Sequence, residues 1–283
     1  MITLFKDVFP DRPNALKEIF GKDKIVIGMI HCKPLPGSPF YNGNFRETLD
    51  AAVQDARTFV ENGIDGLQIE NAWDLPFPNP RDISFETVAG LTAVAMELRT
   101  KFDIPVGVNM LANGVVPAMA VASVSSLLWV RCNQWANAYV ANEGFVEGPS
   151  AKALRYRSFL KSDSIKVFAD VHVKHGSHAI TADRSVEEQA LDNVFFAADV
   201  LIATGERTGD ETSSDEIRRI KAASKLPVIV GSGTCENNIT RILGECEGAI
   251  AGTHLKVDDK WWNPVDSEKV TRLMRIVREF RGE

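Results

Sequence analysis

Eight short runs rich in β-branched and apolar residues alternate along the chain with segments of helical periodicity. Each run is almost continuously apolar, as expected for parallel strands buried on both faces. This alternation predicts an α/β fold with a parallel sheet, and eight strand–helix units close a (β/α)8 barrel, the TIM barrel. The predicted strands cover residues 25–31, 66–71, 104–110, 127–133, 165–174, 200–205, 228–233 and 248–256.

Helix starts are marked by residues that can cap free backbone N–H groups. Asn44, Ser185 and Ser213 each precede a glutamate by three positions, which is the pattern of a capping box. Asn263 followed by Pro264 predicts the start of the last helix, because proline favours the first helical position. The alternative architecture is an open doubly wound sheet, which is disfavoured because Gly28 is not part of a GxGxxG motif.

The length of 283 residues suits one barrel domain, since barrels of this class often run to about 250 residues. We therefore expect residues 1–283 to form a single domain. Residues 1–21 precede the first strand, and we expect them to form a helix that closes the barrel bottom as a cap.

Composition and patterning narrow the classes of partner. The net charge is −6 and no basic run is present, which argues against nucleic-acid binding. The sequence contains no stretch of about 18 consecutive apolar residues, so we predict no membrane span. The start lacks the apolar core of a signal peptide, and the four cysteines form no CxxC pair. We therefore expect a cytoplasmic protein with reduced thiols.

Polar residues stand where the predicted strands end. In a barrel of this kind the chemistry takes place at the C-terminal ends of the strands. The alternative is that these side chains only pair with one another across the mouth. The residues are His31, Glu70, Asn109, Arg131, Asn133, Asp170, His172, Lys174, Thr204, Gly231, Ser232, Gly233, Thr253, His254 and Lys256.

The fifth predicted strand carries the densest set of ionisable groups. Asp170, His172 and Lys174 share one face if the strand continues through them, because strand side chains alternate. Close carboxylate, imidazole and ammonium groups shift one another's pKa values and can supply an acid and a base. The alternative is that these three charged side chains form a ladder in which they only orient one another and take no part in chemistry.

Two further kinds of site are consistent with these residues. Glu70, Asp170 and His172 are suitable ligands for a divalent metal, although they lack a diagnostic local spacing. The glycine-rich ends of the last two strands favour an anion, because backbone amides can approach it closely there and phosphate sites often follow strands seven and eight. Turn geometry without a ligand is the alternative. The residues assigned to substrate or phosphate are Asn109, Arg131, Asn133, Thr204, Gly231, Ser232, Gly233, Gly252, Thr253 and Lys256.

Several motifs occur in order along the chain and resemble the BtpA/SgcQ family of TIM-barrel proteins. They include residues 28–31 (GMIH), 65–71 (DGLQIEN), 106–109 (VGVN), 169–175 (ADVHVKH) and 231–233 (GSG). The resemblance implies the barrel fold. It also implies one of two roles, because one branch is named for photosystem I biogenesis and another occurs with sugar-transport and sugar-phosphate genes.

The leading hypothesis is an enzyme that acts on a small phosphorylated metabolite, a sugar phosphate or a nucleotide-derived sugar. Asp170, His172 and Lys174 would transfer protons, with His31 and Glu70 beside them. The alternative is a non-enzymatic assembly factor of the photosystem I type. Homo-oligomerisation is also open, because the Trp261-Trp262 pair near the mouth could form a subunit contact or lid packing.

Overall fold

The computed structural model describes residues 12–205 and 212–283. Within them, eight parallel strands form a closed barrel, and a two-stranded antiparallel hairpin follows the fourth barrel strand. In chain order the strands are β1 (Ile25–His31), β2 (Gly66–Glu70), β3 (Val106–Asn109), β4 (Trp129–Cys132), β5 (Ala138–Ala141), β6 (Gly144–Glu147), β7 (Lys166–Asp170), β8 (Val200–Ala203), β9 (Val228–Val230) and β10 (Gly248–Ala251), with β5 and β6 forming the hairpin.

Helices follow the barrel strands as predicted. They are α1 (Ala15–Phe20), α2 (Phe45–Glu61), α3 (Phe85–Lys101), α4 (Val115–Val124), α5 (Ser150–Phe159), α6 (Val186–Phe195), α7 (Ser214–Ser224), α8 (Ile239–Glu245) and α9 (Ser267–Arg281). Short 3-10 helices lie at Pro80–Asp82, Ala179–Thr181, Thr253–Leu255 and Val257–Asp259.

Pairing of the first strand with the last closes the sheet. Ile25 of β1 lies opposite Gly248 of β10, while Ile27 lies opposite Gly66 of β2. The predicted barrel is therefore confirmed, and the open-sheet alternative is wrong. The organisation as a single domain stays a prediction.

The predicted helix caps are confirmed in part. The Ser185 and Ser213 hydroxyls accept hydrogen bonds from the N–H groups of Glu188 and Glu216. The helix predicted to start at Asn44 does start there and runs over Phe45–Glu61, although the Asn44 side chain makes no capping hydrogen bond. The last helix begins later than predicted, because Asp266 accepts the free N–H groups of its first turn.

The short helix α1 packs against the barrel interior from below, as predicted for the segment before the first strand. Asn14 caps it, and its residues Ala15 and Leu16 are buried with the inward side chains of the barrel. The Phe20 ring lies 5.6 Å from the ring of Trp129, measured between centroids. Residues 1–11 of the predicted cap lie outside the described residues.

A tryptophan fills the middle of the barrel. Trp129 is completely buried, stacks on Phe168 with centroids 5.3 Å apart, and donates its indole N–H to Gln68 Oε1 at 3.0 Å. Gly107 provides the space for it, since a Cβ on that residue would lie 2.1 Å from the indole. The interior at this level is therefore packed.

Carboxylates tie neighbouring strands together at the barrel bottom. Asp65, Asp199 and Glu247 each stand one residue before a strand and accept the N–H of the preceding barrel strand. Bonds of this kind satisfy backbone donors at the start of a strand, where they would otherwise be unpaired. Asp65 also receives the guanidinium of Arg281, so the last helix is anchored there as well.

The predicted loop 134–149 contains the hairpin of β5 and β6. Asn79 in the loop after β2 donates its side-chain N–H groups to the carbonyls of Glu143 and Phe145, both at 3.1 Å. On the other side, Val140 and Ser177 exchange backbone hydrogen bonds. The hairpin is therefore held between the loops that follow β2 and β7.

We predict that Gly107→Ala lowers the free energy of unfolding by about 3 kcal/mol, because the added methyl group would overlap the Trp129 ring in a packed interior. Chemical denaturation measures the change. Gly244→Ala is the matched control. It places a methyl group in open space on α8 and should leave stability unchanged or raise it by up to about 1 kcal/mol. Equal stability of the two variants would contradict the interior packing described above.

Candidate functional site

The last inward position of each barrel strand, or the residue just after it in β8, β9 and β10, forms a ring at the C-terminal mouth. The register of the sheet makes His31, Glu70, Asn109 and Arg131 successive neighbours around it. The inward alternation of side chains extends the ring around the rest of the barrel. Its remaining members are Asp170, Thr204, Gly231 and Gly252.

A cavity of about 440 Å³ opens above this ring. Strand ends supply its floor, and the loops that follow β2, β4, β7, β9 and β10 supply its walls. The predicted site residues that line it are His31, Glu70, Asn109, Arg131, Asn133, Lys174, Gly231, Ser232, Gly233, Gly252 and Thr253. Most of the residues assigned from sequence are therefore gathered around one space.

Glu70 is the carboxylate at a strand end that lines this cavity. Its Oε2 accepts a hydrogen bond from Asn109 Nδ2 at 2.6 Å, and its Oε1 lies 4.0 Å from His31 Nε2. Asn109 is itself buried, and its Oδ1 has no hydrogen-bond partner among the described atoms. Glu70 and His31 therefore bring a carboxylate and an imidazole close together at the edge of the cavity.

His31 is kept neutral by its surroundings. Burial holds the pKa of the imidazole well below its usual value, and the positive charges of Lys256 and Lys174 act in the same direction. Its ring also meets the ring of Trp261 edge to face, with centroids 5.7 Å apart. A neutral imidazole beside a carboxylate can accept a proton as well as orient one.

Arg131 and Asp170 form a buried ion pair on the other side of the floor. Nε and Nη2 of Arg131 donate to the two carboxylate oxygens of Asp170 at 3.0 and 3.1 Å. The two-pronged geometry fixes the plane of the guanidinium. Arg131 lines the cavity, whereas Asp170 lies below it. Asp170 is therefore placed to position Arg131 rather than to meet a ligand.

The proposed ladder on the fifth barrel strand is wrong. Strand β7 ends at Asp170, because its pairing with β8 ends where Asp170 lies opposite Ile202. His172 and Lys174 belong to the following loop, where alternation no longer applies. His172 is exposed, lies outside the cavity lining and contacts the ring of His178, with centroids 3.9 Å apart and the two planes tilted by 40°. Lys174 does face the cavity.

The glycine-rich ends of β9 and β10 lie together on one side of the cavity. Lys174 Nζ reaches across to Ser232 Oγ at 3.2 Å. A Cβ on Gly231 would lie 3.1 Å from Arg131 Nη2, and a Cβ on Gly252 would lie 3.2 Å from His31 Cε1. Gly233 has a φ of +70°, a conformation that favours glycine. Because glycine has no side chain, Arg131 and His31 can lie close to the backbone at Gly231 and Gly252.

Two residues assigned to the substrate have structural contacts instead. Thr204 is buried outside the lining and donates its hydroxyl to the carbonyl of His172 at 2.9 Å. Lys256 is completely buried and pairs with Asp55 of α2 at 2.5 Å. It turns away from the mouth because the chain leaves β10 at Ala251 and continues as a 3-10 helix. The phosphate-binding assignment of Lys256 is therefore wrong.

The proposed metal ligands are not brought together. Asp170 is paired with Arg131, and His172 packs on His178 away from Glu70. In the described ranges, no group of three or more His, Cys, Asp or Glu side chains is arranged to hold a metal ion. The residues present do not fit the metal site that was considered from sequence.

A family comparison agrees with this architecture. The BtpA family profile matches residues 22–279. The chain belongs to the BtpA family. The match includes all eight barrel strands and the last helix up to Glu279, so the family relationship covers the whole candidate site.

Relatives of this BtpA family chain occur in several kinds of organism. An uncharacterized protein of Pyrococcus abyssi is 39% identical over 261 residues, covering 92% of this chain and 98% of the relative. An uncharacterized mitochondrial protein of Caenorhabditis elegans is 32% identical, covering 91% and 94%. The photosystem I biogenesis protein BtpA of Synechocystis is 31% identical, covering 93% and 91%.

Solved structures share the barrel at low sequence identity. Thiamine phosphate pyrophosphorylase from Pyrococcus furiosus has a TM-score of 0.54 and 17% identity, covering 91% of this chain and 96% of that chain. Mycobacterium tuberculosis tryptophan synthase has a TM-score of 0.58 and 15% identity, covering 90% and 93%. These likenesses establish the TIM-barrel fold of the BtpA family chain.

The helices of this BtpA family chain include no candidate membrane span. Between residues 12 and 205 and from 212 onward, none combines the length with the apolar character that a bilayer crossing requires.

Several cavity residues were not assigned from sequence. The hairpin contributes Tyr139, Asn142 and Glu143, and the last loop contributes Trp261. The only signals for them were the length of loop 134–149 and the aromatic pair near the end of the barrel. Trp261 lies against His31 and lines the cavity, which favours lid packing over a subunit contact for this residue.

We predict that Lys256→Met in this BtpA family chain lowers the free energy of unfolding by roughly 3–5 kcal/mol, because it leaves the Asp55 carboxylate buried without its cation. Urea denaturation measures the loss. Lys260→Met is the matched control, since that lysine is exposed and should change stability by less than about 0.5 kcal/mol. A Lys256→Met protein of normal stability would show that the ion pair is not formed.

His31 gives a pH-dependent prediction. The pKa of His31 is lowered in the folded protein, whereas in the unfolded chain it has the ordinary histidine value of about 6.5. Below that pH the unfolded chain therefore binds a proton that the folded protein does not bind. This term should reduce stability as the pH falls from 7.5 to 5.5. We expect the wild type to lose on the order of 1 kcal/mol more than His31→Gln over this interval, measured by urea unfolding at both pH values. Identical losses would contradict a neutral, buried His31.

Proposed function

We propose that this protein is an enzyme that acts on a small phosphorylated metabolite, a sugar phosphate or nucleotide-derived sugar, in the cavity at the barrel mouth. The observation that carries the proposal is that one cavity joins a glycine-rich, cationic side to a carboxylate–imidazole pair. In the ring of strands β9 lies opposite β3, whereas β10 pairs with β1, so the glycine-rich side borders His31 directly and faces Asn109 across the cavity.

The cationic side would hold the phosphate. Ser232 supplies a hydroxyl, Gly231 and Gly252 leave room for a ligand, and the Lys174 ammonium borders the cavity together with the Arg131 guanidinium, whose charge Asp170 balances. Cations and backbone N–H groups are the usual partners of phosphate oxygens. Asp170 supports this role by holding the Arg131 guanidinium in one orientation.

The opposite side would hold the hydroxyl groups of the substrate. Asn109 and Asn133 line the cavity, and the side-chain oxygen of each is buried without a hydrogen-bond partner among the described atoms. A buried acceptor without a partner costs about 1–3 kcal/mol, so a ligand that donates hydrogen bonds gains from meeting it. Sugar hydroxyls are donors of this kind.

Glu70 and His31 would transfer protons during the reaction. Glu70 presents a carboxylate whose orientation Asn109 fixes, and the neutral imidazole of His31 offers one donor and one acceptor nitrogen. This pair replaces the ladder of Asp170, His172 and Lys174 as the proposed acid–base centre, with Lys174 retained on the phosphate side. Proton transfer next to a hydroxyl group is common to isomerisation and epimerisation.

The second candidate is a non-enzymatic assembly factor. It is favoured by the name of the Synechocystis relative, photosystem I biogenesis protein BtpA, which is 31% identical to this chain. Such a role predicts a working surface on the outside of the barrel and no requirement for the cavity residues. A cytoplasmic location, homo-oligomerisation and the lack of nucleic-acid binding also stay predictions.

Ligand-induced stabilisation tests the proposed enzyme. A ligand present at 100 times its Kd raises the free energy of unfolding by about 2.7 kcal/mol. We expect inorganic phosphate or members of a sugar-phosphate panel to raise the Tm of the wild type. The Lys174→Met variant should need at least a tenfold higher ligand concentration for the same rise in Tm. His172→Gln is the matched control, because His172 lies outside the cavity and should leave the effect unchanged.

The two candidate functions give different results in this experiment. If neither phosphate nor any sugar phosphate stabilises the wild type at millimolar concentration, the enzyme proposal fails and the assembly role is preferred. If the two variants respond alike, the assignment of the phosphate to the Lys174 side is wrong.

A further inference from the structure

A second cavity, of about 390 Å³, lies at the rim of the barrel beside the main cavity. We call it the rim pocket. It is formed by the loops that follow β1, β2 and β10 together with the first turn of α2. The residues that define it are Lys33, Phe40, Asn42, Glu47, Trp73 and Trp262.

Aromatic rings form one side of the rim pocket. Three of the five tryptophans of the chain, Trp73, Trp261 and Trp262, contact one another here, with Trp261 5.0 and 5.4 Å from the other two between ring centroids. Phe40 meets Trp73 edge to face at 6.3 Å. Trp261 lines the main cavity, so it forms the wall between the two spaces.

This aromatic surface is open to solvent. Phe40 is 60% exposed and Trp262 is 49% exposed, whereas Trp129 is fully buried in the barrel. Burying an aromatic ring is favourable because the ring has a large apolar surface. A group of exposed rings beside a cavity therefore marks a binding surface.

The other side of the rim pocket is polar but carries no net charge. Lys33 Nζ lies 2.5 Å from Glu47 Oε1, and Asn42 Nδ2 donates to Glu47 Oε2 at 3.0 Å. A free anion would meet the Glu47 carboxylate, and a free cation would meet Lys33. The pocket therefore suits a neutral ligand with hydrogen-bonding atoms at one edge.

We propose that the rim pocket is a stacking site for a planar heteroaromatic ring of the nucleobase class. Such a ring has two faces that stack on aromatic side chains and an edge that carries both donors and acceptors. Trp73, Trp262 and Phe40 supply the surfaces for its faces, and the group of Lys33, Glu47 and Asn42 supplies partners for its edge.

The proposal also narrows the substrate class of the main cavity, and in that respect it rests on the proposed function. A ligand with a base in the rim pocket and a phosphate near Lys174 is a nucleotide or a nucleotide-derived sugar. Base binding itself requires only the residues of the rim pocket.

Calorimetric titration of the full chain with adenosine, guanosine and uridine tests the rim pocket. We expect at least one nucleoside to bind the wild type, and Trp262→Ala to weaken it roughly 5- to 100-fold, the usual effect of losing one stacking side chain. Phe159→Ala is the control, because it removes an exposed aromatic ring on α5, outside the rim pocket. The affinity of the Phe159→Ala variant for the nucleoside should equal that of the wild type.

Three results would overturn the proposal: no saturable binding of any nucleoside, binding that Trp262→Ala leaves intact, or displacement of a bound nucleoside by glucose or maltose, which would identify a carbohydrate site. Inorganic phosphate and the Lys174→Met variant keep the two proposals distinguishable. Nucleoside binding without phosphate binding supports the rim pocket and contradicts the proposed function. Phosphate binding without nucleoside binding supports the proposed function and contradicts the rim-pocket proposal.

Discussion

Closure of the parallel sheet is the constraint on which the other features depend. Once eight strands form a ring, every second side chain points into an interior that opens only at its ends. Trp129 and its neighbours fill the middle, and Leu16 and Phe20 of α1 occupy the bottom. Polar inward residues can therefore reach a ligand only from the C-terminal mouth, where the cavity lies.

Pairing within the polar ring determines what the cavity presents. Arg131 and Asp170 neutralise each other, which limits the cost of burying charge, and only the guanidinium borders the cavity. Glu70 accepts a hydrogen bond from the neutral amide of Asn109 and borders the cavity. This difference is the reason that the proposed acid–base centre lies at Glu70 and His31 and not at Asp170.

The loops add what the barrel itself lacks. The hairpin is held on one side by Asn79 and on the other by Ser177, so its tip residues Asn142 and Glu143 are fixed above the cavity. The tryptophans of the loops after β2 and β10 then separate the main cavity from the rim pocket. None of these contacts follows from strand or helix periodicity, since each joins residues far apart in the chain.

The sequence by itself determined the barrel, the cap helix and the inward polar residues at the strand ends, because helical and strand periodicities are local and repeat eight times. Only the tertiary structure decided which polar groups meet in the cavity. Strand length depends on pairing with neighbours, so β7 ends at Asp170 and releases His172 from the inward face. Lys256 is likewise withdrawn by Asp55, a partner 201 positions earlier that no local pattern identifies.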